Sequence, residues 1–514
     1  MSRRRLAALA LGAALSAAAC RHAPTPQAGP DTSEIANAHI SAPPNDTLRP
    51  VPDAALAPLI DTAPPRLGAP AALQLPPVRT RELPNGLRLA VVEHHELPVA
   101  DFVLVVRSGS ERDPASHSGL ATLVADMLTE GAGRRSSLQI SDQAAFLGVD
   151  LGAASGWDAT RVVLHTPTAQ LDSALALFAD VALRPTFPQR ELTRLRKERL
   201  TELLQERDRA PEIADRAFSQ LVFGAKHPYG HALVGTEATV SAITRADVER
   251  FYRANFRPNN ATLIVVGDVT MDDVERRARQ LFGAWARGAV PAPTFSEPPR
   301  AATTTIYLID KPGAPQSSVR IGGVGVPRGT DDYFALVVAN TILGGSFTSR
   351  LNQNLRETKG YTYGARSQFD MRQAAGPFRA SAEVTGTRTD SSLIEFMKEL
   401  RAIRDTVPAS ELEKTKRYLQ LQLPGRLETT TDIAAQLVPL TTYGLPLDFY
   451  NSYAQRIEQV TQADVQRVMD RYVNPDRSVV VIVGDRKSIE SGLSALKFGP
   501  VEVRDVSGQR LPIP

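Results

Sequence analysis

The chain has 514 residues, of which 42% are apolar and 22% are charged, so it is long enough for two to four globular domains and can bury large cores. The formal net charge is only +3, and no block of Lys and Arg lies beyond the N-terminus, so the sequence gives no indication of a nucleic-acid partner. Cys20 is the single cysteine, which excludes an internal disulfide.

The first twenty residues differ from the rest of the chain. A cluster of three arginines precedes the 14-residue apolar run LAALALGAALSAAA and then Cys20. This run is too short to span a membrane, so residues 1–20 are predicted to be a secretory signal peptide. Ser2-Arg3-Arg4 leaves twin-arginine export open beside general secretion.

Small residues before a lone cysteine are similar to the lipobox of bacterial lipoproteins, which implies a lipid on Cys20. The alternative is an ordinary signal peptide with an incidental cysteine. Arg21 stands where an aspartate typically retains lipoproteins in the inner membrane. We therefore expect a lipid-anchored protein of the bacterial cell envelope, held in the outer membrane and facing the periplasm.

Residues 21–77 contain 13 prolines and few aromatic residues, so they are predicted to form an extended, disordered tether. After the tether, short β-rich runs come in adjacent pairs before amphipathic helices. The paired runs are GLRLAVVE with DFVLVVRSG and TTIYLID with SSVRIGGV, and the helices are predicted at 169–183, 189–207, 331–343 and 408–422. This arrangement favours an α+β fold with antiparallel hairpins over a doubly wound sheet.

The segment SGLATLVADMLTEG, residues 118–131, is predicted to be a buried helix because apolar residues recur at helical spacing. Thr122, Ala125 and Asp126 lie on a neighbouring face of this helix. In the zinc-peptidase motif H-x-x-E-H these three positions are His, Glu and His. The helix therefore has the pattern of a metal-site helix without its metal ligands.

The second half of the chain repeats the first. The segment ITRADVERFYRANFRPNNATLIVVGD (243–268) aligns without gaps with VTQADVQRVMDRYVNPDRSVVVIVGD (460–485), at a constant offset of 217 residues. Each copy is predicted to be a helix capped by Thr244 or Thr461, a proline-containing turn and a strand that ends at Gly-Asp. The predicted organisation is an N-terminal domain at 78–288, a proline-rich linker at 289–303, a C-terminal domain at 304–500 and a tail at 501–514.

These segments, in this order, resemble the pitrilysin/insulinase (M16) family of zinc peptidases, in its short two-domain bacterial and mitochondrial-processing form. The resemblance covers nearly all of residues 78–500. The segments that carry it are LPNGLRLAVVEHHELPVADFVLVVRSGSERD, SGLATLVADMLTEG, HPYGHALVGT, VVGD in both halves and LGGSFTSRLNQNLRETKGYTYGARS. The resemblance implies an α+β roll in each domain, with antiparallel sheets packed against helices and the two domains facing each other across a chamber.

The family resemblance also implies a zinc ion held by H-x-x-E-H and by a Glu about 76 residues later, where the Glu of the motif activates a metal-bound water. Glu202 follows Asp126 by 76 residues and matches that third ligand; the alternative is a solvated helix carboxylate. Asp126 and Glu202 could also hold a hard cation weakly. His227 and His231 resemble the structural turn of the family, HPYG, more than a ligand pair. We expect no metal on this chain.

The segment SRLNQNLRETKGYTYG resembles the R/Y element of the family, in which an Arg and a Tyr seven residues apart reach over the zinc site of the facing domain. Arg356 and Tyr363 have this spacing. A guanidinium can bind substrate carbonyls, and a phenol can donate to the oxyanion of a tetrahedral intermediate. The alternative is that Arg356 pairs with Glu357 or another acid and Tyr363 fills a strand face.

Two functions follow from the resemblance. The chain could be the non-zinc subunit of a two-subunit peptidase, in which an H-x-x-E-H partner binds the zinc and this chain supplies Arg356 and Tyr363 to peptide substrates. It could instead be a catalytically inactive structural or peptide-binding homologue of the cell envelope. A third possibility is a hydrolase that works alone by other chemistry, but the sequence shows no Ser/His or Cys/His arrangement that would support it.

Overall fold

The computed structural model describes residues 76–299, 301–506 and 508–511. The predicted signal peptide, Cys20 and nearly all of the predicted tether lie outside the described residues. The described chain forms two six-stranded mixed sheets packed with helices, which confirms the predicted α+β fold.

The first half contains strands β1–β8 and helices α1–α8. The strands are β1 (Arg79–Glu82), β2 (Arg88–Glu93), β3 (Val99–Val106), β4 (Gly131–Ala132), β5 (Arg135–Ser136), β6 (Asp150–Ser155), β7 (Thr160–Pro167) and β8 (Ala261–Gly267). The helices are α1 (Leu120–Met127), α2 (Ser137–Leu147), α3 (Leu171–Leu183), α4 (Gln189–Glu206), α5 (Ala210–Phe223), α6 (Glu237–Ala242), α7 (Arg245–Asn255) and α8 (Met271–Phe282). The sheet order is β1-β2-β8-β3-β7-β6, and β4 and β5 form a separate small hairpin.

The second half has the same plan. Its strands are β9 (Thr305–Asp310), β10 (Gln316–Val324), β11 (Thr362–Phe369), β12 (Pro377–Thr385), β13 (Val479–Gly484) and β14 (Val501–Arg504), in the order β11-β12-β10-β13-β9-β14. Its helices are α9 (Tyr333–Asn340), α10 (Arg350–Asn352), α11 (Thr389–Ala402), α12 (Ala409–Gln422), α13 (Thr430–Tyr443), α14 (Tyr453–Glu458), α15 (Gln462–Tyr472) and α16 (Arg486–Ala495). Strand β14 pairs with β9, so the first residues of the predicted tail belong to this sheet.

The duplicated segments form equivalent elements at the centre of each sheet. Helices α7 and α15 begin at Thr244 and Thr461, whose side chains accept the backbone N–H groups of Asp247 and Asp464. The following strands, β8 and β13, are buried along their whole length. Such strands need cover on both faces and both edges, so they take central positions.

Because β8 and β13 are central, the hairpins predicted from the adjacent strand pairs β2–β3 and β9–β10 are wrong. Strands β2 and β3 do not pair with each other, because β8 lies between them, parallel to β2 and antiparallel to β3. Strand β13 separates β9 from β10 in the same way. The antiparallel hairpins of the large sheets are β6–β7 and β11–β12, together with β1–β2.

The two halves exchange one helix each. Helix α5 of the first half packs on β10 and β13 of the second sheet, and α13 of the second half packs on β3 and β8 of the first. Phe218 on α5 is buried with Val481 and Val483 of β13. The repeat relates the two helices, because residues 210–223 shifted by 217 overlap α13. Each sheet therefore has one face covered by helices of its own half and part of the other covered by the opposite half.

Polar contacts support this exchange. The buried carboxylate of Asp158 accepts hydrogen bonds from the hydroxyls of Tyr229, at 2.6 Å, and Tyr443, at 3.0 Å. It also accepts the backbone N–H of Gln373 at 3.0 Å. The guanidinium of Arg372 lies 4.2 Å from the ring centroid of Trp157. Two segments of the second half, at Gln373 and Tyr443, are thus joined to one carboxylate of the first.

One helical run among the described residues, Tyr333–Thr358, is long and apolar enough to cross a membrane by length and composition alone. It comprises α9, α10 and two π-helical segments, Thr341–Gly345 and Gln353–Thr358. Most of its apolar window is buried inside the second half. Its apolarity is therefore accounted for by the core.

Candidate functional site

Helix α1 keeps the buried position expected of the motif helix. It packs against α4, α7 and the strands β6 and β7. All five residues of the predicted apolar stripe are buried: Leu120, Leu123, Val124, Met127 and Leu128. The apolar spacing in the sequence therefore predicted correctly that this helix faces the core.

The start of α1 is fixed by a glycine and a buried acid. Gly119 adopts φ +90°, and a Cβ there would lie 2.6 Å from the carbonyl oxygen of Val234, so only glycine fits. The carboxylate of Asp113 accepts the N–H groups of Gly119 and Ala121, each at 2.9 Å. Burial raises the pKa of Asp113 well above its usual range, and these backbone hydrogen bonds oppose the shift. The helix is thus held rigidly at the end that precedes Thr122.

The three polar positions of the degenerate zinc motif meet at one guanidinium. Arg199 on α4 donates from Nη2 to the carboxylate of Asp126 at 2.8 Å and from Nη1 to the hydroxyl of Thr122 at 3.2 Å. Its Nε lies 3.3 Å from a carboxylate oxygen of Glu202. Ala125, the fourth position, is completely buried and offers no polar atom. We call Thr122, Asp126, Arg199 and Glu202 the Arg199 cluster.

The Arg199 cluster does not fit a zinc ion. Zinc needs lone pairs from imidazole, thiolate or carboxylate groups, whereas a guanidinium has only donors and a permanent positive charge. Burial raises the pKa of Asp126, and the nearby charge of Arg199 opposes that shift. Within the described residues no group of three or more His, Cys, Asp or Glu side chains is placed to hold a metal.

The carboxylates of Asp126 and Glu202, which could together hold a hard cation weakly, both pair with Arg199 in this structure. The sequence analysis missed Arg199. A signal for it existed, since residues three apart on a helix share a face, and Arg199 precedes Glu202 by three.

The paired histidines have structural roles. The buried ring of His227 accepts the N–H of Tyr229 at its Nδ1 at 3.0 Å, which closes the HPYG turn, and burial is the main cause that lowers its pKa. His231 contacts the carbonyl oxygen of Ala225 through Nε2 at 3.0 Å. Both histidines therefore contribute hydrogen bonds to the HPYG turn and its surroundings, as the resemblance implied.

Arg356 and Tyr363 lie in the second half with different surroundings. Arg356 lies in the π-helical segment Gln353–Thr358, with its Nε 3.4 Å from Glu357 and its guanidinium 4.6 Å from the ring centroid of Phe347. Tyr363 lies on β11 and is 90% exposed. The pairing of Arg356 with Glu357 agrees with the structural alternative, but Tyr363 does not fill a strand face.

A β-bulge explains the exposure of Tyr363. Thr362 pairs with Val384 and Ala365 pairs with Ala382, so two residues of β11 stand opposite Glu383 alone. The extra residue turns Tyr363 away from the face that Ala365 buries. The hydroxyl of Thr362 holds the bulge by accepting the N–H of Gly364 at 3.1 Å.

A buried amide connects this bulge to the segment that carries Phe347. Asn352 donates from Nδ2 to the carbonyl oxygen of Phe347 at 2.7 Å, and its Oδ1 accepts the N–H of Ala365 at 3.2 Å. Phe347 itself is 60% exposed. The exposed side chains of Phe347 and Tyr363 and the partly exposed side chain of Arg356 are here called the Phe347–Tyr363 surface. They thus lie on backbone that is held by hydrogen bonds from beneath.

Comparison with known proteins gives matches along most of the described chain. The family described as "Insulinase (Peptidase family M16)" matches residues 88–236, and "Peptidase M16 inactive domain" matches residues 242–419. An uncharacterized zinc protease of Mycobacterium tuberculosis is 27% identical over 440 residues, which cover 84% of this chain and 99% of the relative. The "Non-peptidase homolog YmxG" of Helicobacter pylori is 23% identical over 431 residues, covering 82% of this chain and 97% of that protein.

Among solved structures, the peptidase M16 inactive domain from Pseudomonas fluorescens superposes with a TM-score of 0.75 at 29% sequence identity. The match covers 79% of this chain and 98% of that chain. The two-sheet architecture and the sequence segments therefore lead independently to the same group of proteins.

Proposed function

Since this chain belongs to the M16 peptidase family, we propose that it is the non-zinc-binding subunit of a two-subunit M16 peptidase. In this assignment a partner subunit carries H-x-x-E-H and the zinc ion. This chain supplies the Phe347–Tyr363 surface to the peptide and to the transition state. The relative described as a non-peptidase homolog and the neighbour described as an inactive domain support the absence of catalysis by this chain alone.

The observation that carries the proposal is the exposure of Tyr363 on fixed backbone. A tyrosine that is 90% exposed contributes little to its own core, yet the bulge and Asn352 hold the strand that presents it. Preorganised donors stabilise a developing oxyanion better than mobile ones, and the fixed backbone limits where the hydroxyl of Tyr363 can lie. The hydroxyl of Tyr363 would donate to the oxyanion, and Arg356 would bind a substrate carbonyl.

A second candidate function is a structural or peptide-binding homologue without catalysis in any assembly. The Arg199 cluster favours it, because a guanidinium has replaced the metal in the site on which the family chemistry depends. In that case the role of Arg356 would be structural, through its contacts with Glu357 and Phe347.

The experiment that separates the two begins with affinity purification of the native protein and identification of an H-x-x-E-H subunit that accompanies it. Peptide cleavage is then measured with the reconstituted pair at saturating substrate. We expect neither chain alone to cleave. Tyr363→Phe should reduce turnover about a hundredfold, as the loss of one oxyanion donor typically does. Arg356→Ala should also reduce turnover, because it removes a charge-assisted contact with the substrate.

Matched controls are Tyr418→Phe and Arg134→Ala, which remove the same groups at exposed positions elsewhere, and both should leave turnover unchanged. Size-exclusion chromatography checks that each variant still assembles. Full turnover by Tyr363→Phe and Arg356→Ala in an intact complex would reject the subunit role and favour the second function.

We propose further that the protein is lipid-anchored through Cys20 and faces the periplasm. The support is the N-terminal sequence, with its apolar run, small residues and lone cysteine. Zinc in this proposal belongs to the partner, because the Arg199 cluster gives this chain no suitable ligand set.

A further inference from the structure

The two side chains that the proposed function assigns to the substrate lie on different elements. Arg356 lies in the π-helical segment Gln353–Thr358, and Tyr363 lies on strand β11. A guanidinium and a phenol can act on one peptide only if their elements keep a fixed mutual position. A displacement of about 1 Å can cost about a hundredfold in rate, so the contacts between these two elements bear on function.

Strand β11 is an edge strand, and two of its peptide groups bond to asparagine side chains of the helical run Tyr333–Thr358. The N–H of Ala365 donates to Oδ1 of Asn352 at 3.2 Å, and the carbonyl oxygen of Ser367 accepts Nδ2 of Asn340 at 3.1 Å. The hydroxyl of Ser367 also donates to Oδ1 of Asn340 at 2.8 Å. The two asparagines thus hold β11 against the helical run.

Asn352 connects the two elements at one point. It precedes Arg356 by four residues, about one helical turn, and it accepts the N–H of Ala365, two residues after Tyr363. Its Nδ2 donates to the carbonyl oxygen of Phe347 at 2.7 Å. Asn352 is only 4% exposed, so it acts through these neighbours and does not touch a peptide on the surface.

An amide at this buried position needs a reason beyond packing. Leu351 and Leu355 on the same helical run are completely buried in the apolar core, so an apolar side chain would serve if Asn352 only filled space. A buried amide costs free energy unless its polar groups are bonded. A bonded one fixes a single arrangement of its neighbours, and Asn352 bonds to both of the elements that carry the proposed functional residues.

We propose that Asn352 is a positioning residue, which together with Asn340 sets the place of Tyr363 relative to Arg356. This role rests on the proposed subunit function. Asn352 orders the backbone from which the hydroxyl of Tyr363 donates. Its loss should lower kcat with little change in KM, because the oxyanion forms only in the transition state.

The test is a double-mutant cycle with the reconstituted pair at saturating peptide, with each rate divided by the amount of assembled complex. Asn352→Ala should lower kcat about tenfold, less than removal of the hydroxyl itself. In the Tyr363→Phe protein the same substitution should change kcat by less than about twofold, because the hydroxyl that Asn352 positions is already absent.

Two further variants keep the test independent of how well Asn352→Ala folds. Asn352→Asp keeps the acceptor for the N–H of Ala365 and loses the amide donor, so it should retain more turnover than Asn352→Ala. Asn340→Ala repeats the cycle at the contact with Ser367 and should lower kcat only when Tyr363 is present.

Hydrogen exchange of the full chain alone measures the same contact without a partner subunit. In Asn352→Ala the amide of Ala365 loses its acceptor, so its exchange should increase at least about tenfold. Asn260→Ala is the matched control. Asn260 is a buried asparagine of the first half that donates to Ser108 and Asn255, and its loss should leave both kcat and the exchange of Ala365 unchanged.

The outcomes separate the positioning role from the subunit role. Unchanged exchange of Ala365, or an equal effect of Asn352→Ala with and without the hydroxyl of Tyr363, would overturn the positioning role. Parental kcat in Asn352→Ala beside a clear loss in Tyr363→Phe would overturn it and leave the subunit role standing. Full turnover in Tyr363→Phe would reject both.

Discussion

At the scale of single residues, Arg199 determines the character of the degenerate zinc site. Its side chain is largely buried and contacts Thr122, Asp126 and Glu202. A metal in this position would need the lone pairs of its ligands, whereas the guanidinium needs only acceptors. At the positions where the family resemblance implies metal ligands, the guanidinium of Arg199 thus keeps the acids Asp126 and Glu202 paired.

Replacement of Arg199 by glutamine should destabilise the fold. Asp126 would keep a partly buried carboxylate without its cation, and we expect the free energy of unfolding to fall by about 1–3 kcal/mol. Urea unfolding of Arg199→Gln, Asp126→Asn and the double variant measures the coupling between the two side chains. The exposed Arg190, also on α4, is the control, and Arg190→Gln should change stability by less than about 0.5 kcal/mol. Additive effects in the double variant would show that the pair contributes nothing.

A second residue-scale prediction concerns Glu111. Its buried carboxylate accepts the N–H of Gly109 at 2.7 Å and Nε of Arg112 at 2.9 Å. Burial raises the pKa of Glu111 to about 7, against the opposing charge of Arg112 and with a smaller contribution from Asp158. Because the folded state binds this proton more tightly, the stabilisation is complete below the unfolded pKa of 4.5. It is lost as the pH rises through about 7.

The shift corresponds to about 3 kcal/mol of unfolding free energy between pH 4.5 and pH 8. Urea unfolding at several pH values should show stability falling over this range in the parent. In Glu111→Gln the fall should be smaller by about that amount. The same slope in both proteins would contradict the assignment to Glu111.

At the residue scale, the sequence predicts only part of the candidate site. The missing ligands at Thr122, Ala125 and Asp126 follow from sequence position alone, and the helix that carries them follows from its apolar spacing. The exposure of Tyr363 does not, because the bulge in β11 depends on the register with β12, which is a property of the folded sheet.

At the scale of elements, the long helical run before β11 depends on a close approach of backbones. Gly344 lies in the π-helical segment Thr341–Gly345, and a Cβ there would be 2.2 Å from the backbone nitrogen of Ser367 on β11. Nothing larger than hydrogen fits between the helical run and the strand. The same strand carries Tyr363, so this contact positions the Phe347–Tyr363 surface.

Gly344→Ala should therefore destabilise the protein by about 1–3 kcal/mol through overpacking. Thermal unfolding measures the loss, and exchange of the β11 amides should increase because the strand must shift. Gly425→Ala is the control, since a Cβ at Gly425 meets nothing within 4 Å. A Gly344→Ala protein as stable as the Gly425→Ala protein would contradict the close approach.

At the scale of elements, the sequence patterns predict where the strands lie but not how the strands pair. The apolar runs located β2, β3, β9 and β10 well, but adjacency in sequence suggested hairpins that do not form. Strands β8 and β13 enter between them from far along the chain. Their uniformly apolar composition predicts burial on both faces, but it does not predict which strands lie beside them.

At the scale of the whole molecule, the exchange of α5 and α13 joins the two halves into one unit. The repeat was visible in the sequence through its constant offset. The exchange was not, because an amphipathic pattern shows that a helix face is buried but not which sheet covers it. Domain boundaries drawn at the linker therefore cut through two shared cores.

Separate expression of residues 76–288 and 304–511 should give fragments without cooperative unfolding. Each fragment leaves part of one face of its own sheet uncovered and carries an apolar helix with no sheet to pack on. Near-ultraviolet circular dichroism and denaturant titration measure this, and mixing the fragments should restore a native-like signal. The full chain cut once within 289–303 is the control and should stay folded. A fragment that unfolds cooperatively by itself would contradict the shared cores.

The exchange also sets the order of folding events while the chain emerges, whether from the ribosome or from the export channel that the predicted signal peptide implies. Strand β8 completes the first sheet at Gly267, but the helix that covers the second face of β3 and β8 begins only at Thr430. At ordinary rates of synthesis, the intervening residues take roughly ten to thirty seconds to emerge. During that interval Val103, Val105, Ile264 and Val266, which are buried in the mature protein, form an apolar surface on the nascent chain. A holding chaperone that binds extended apolar faces would have a target on this protein for that period and none afterwards.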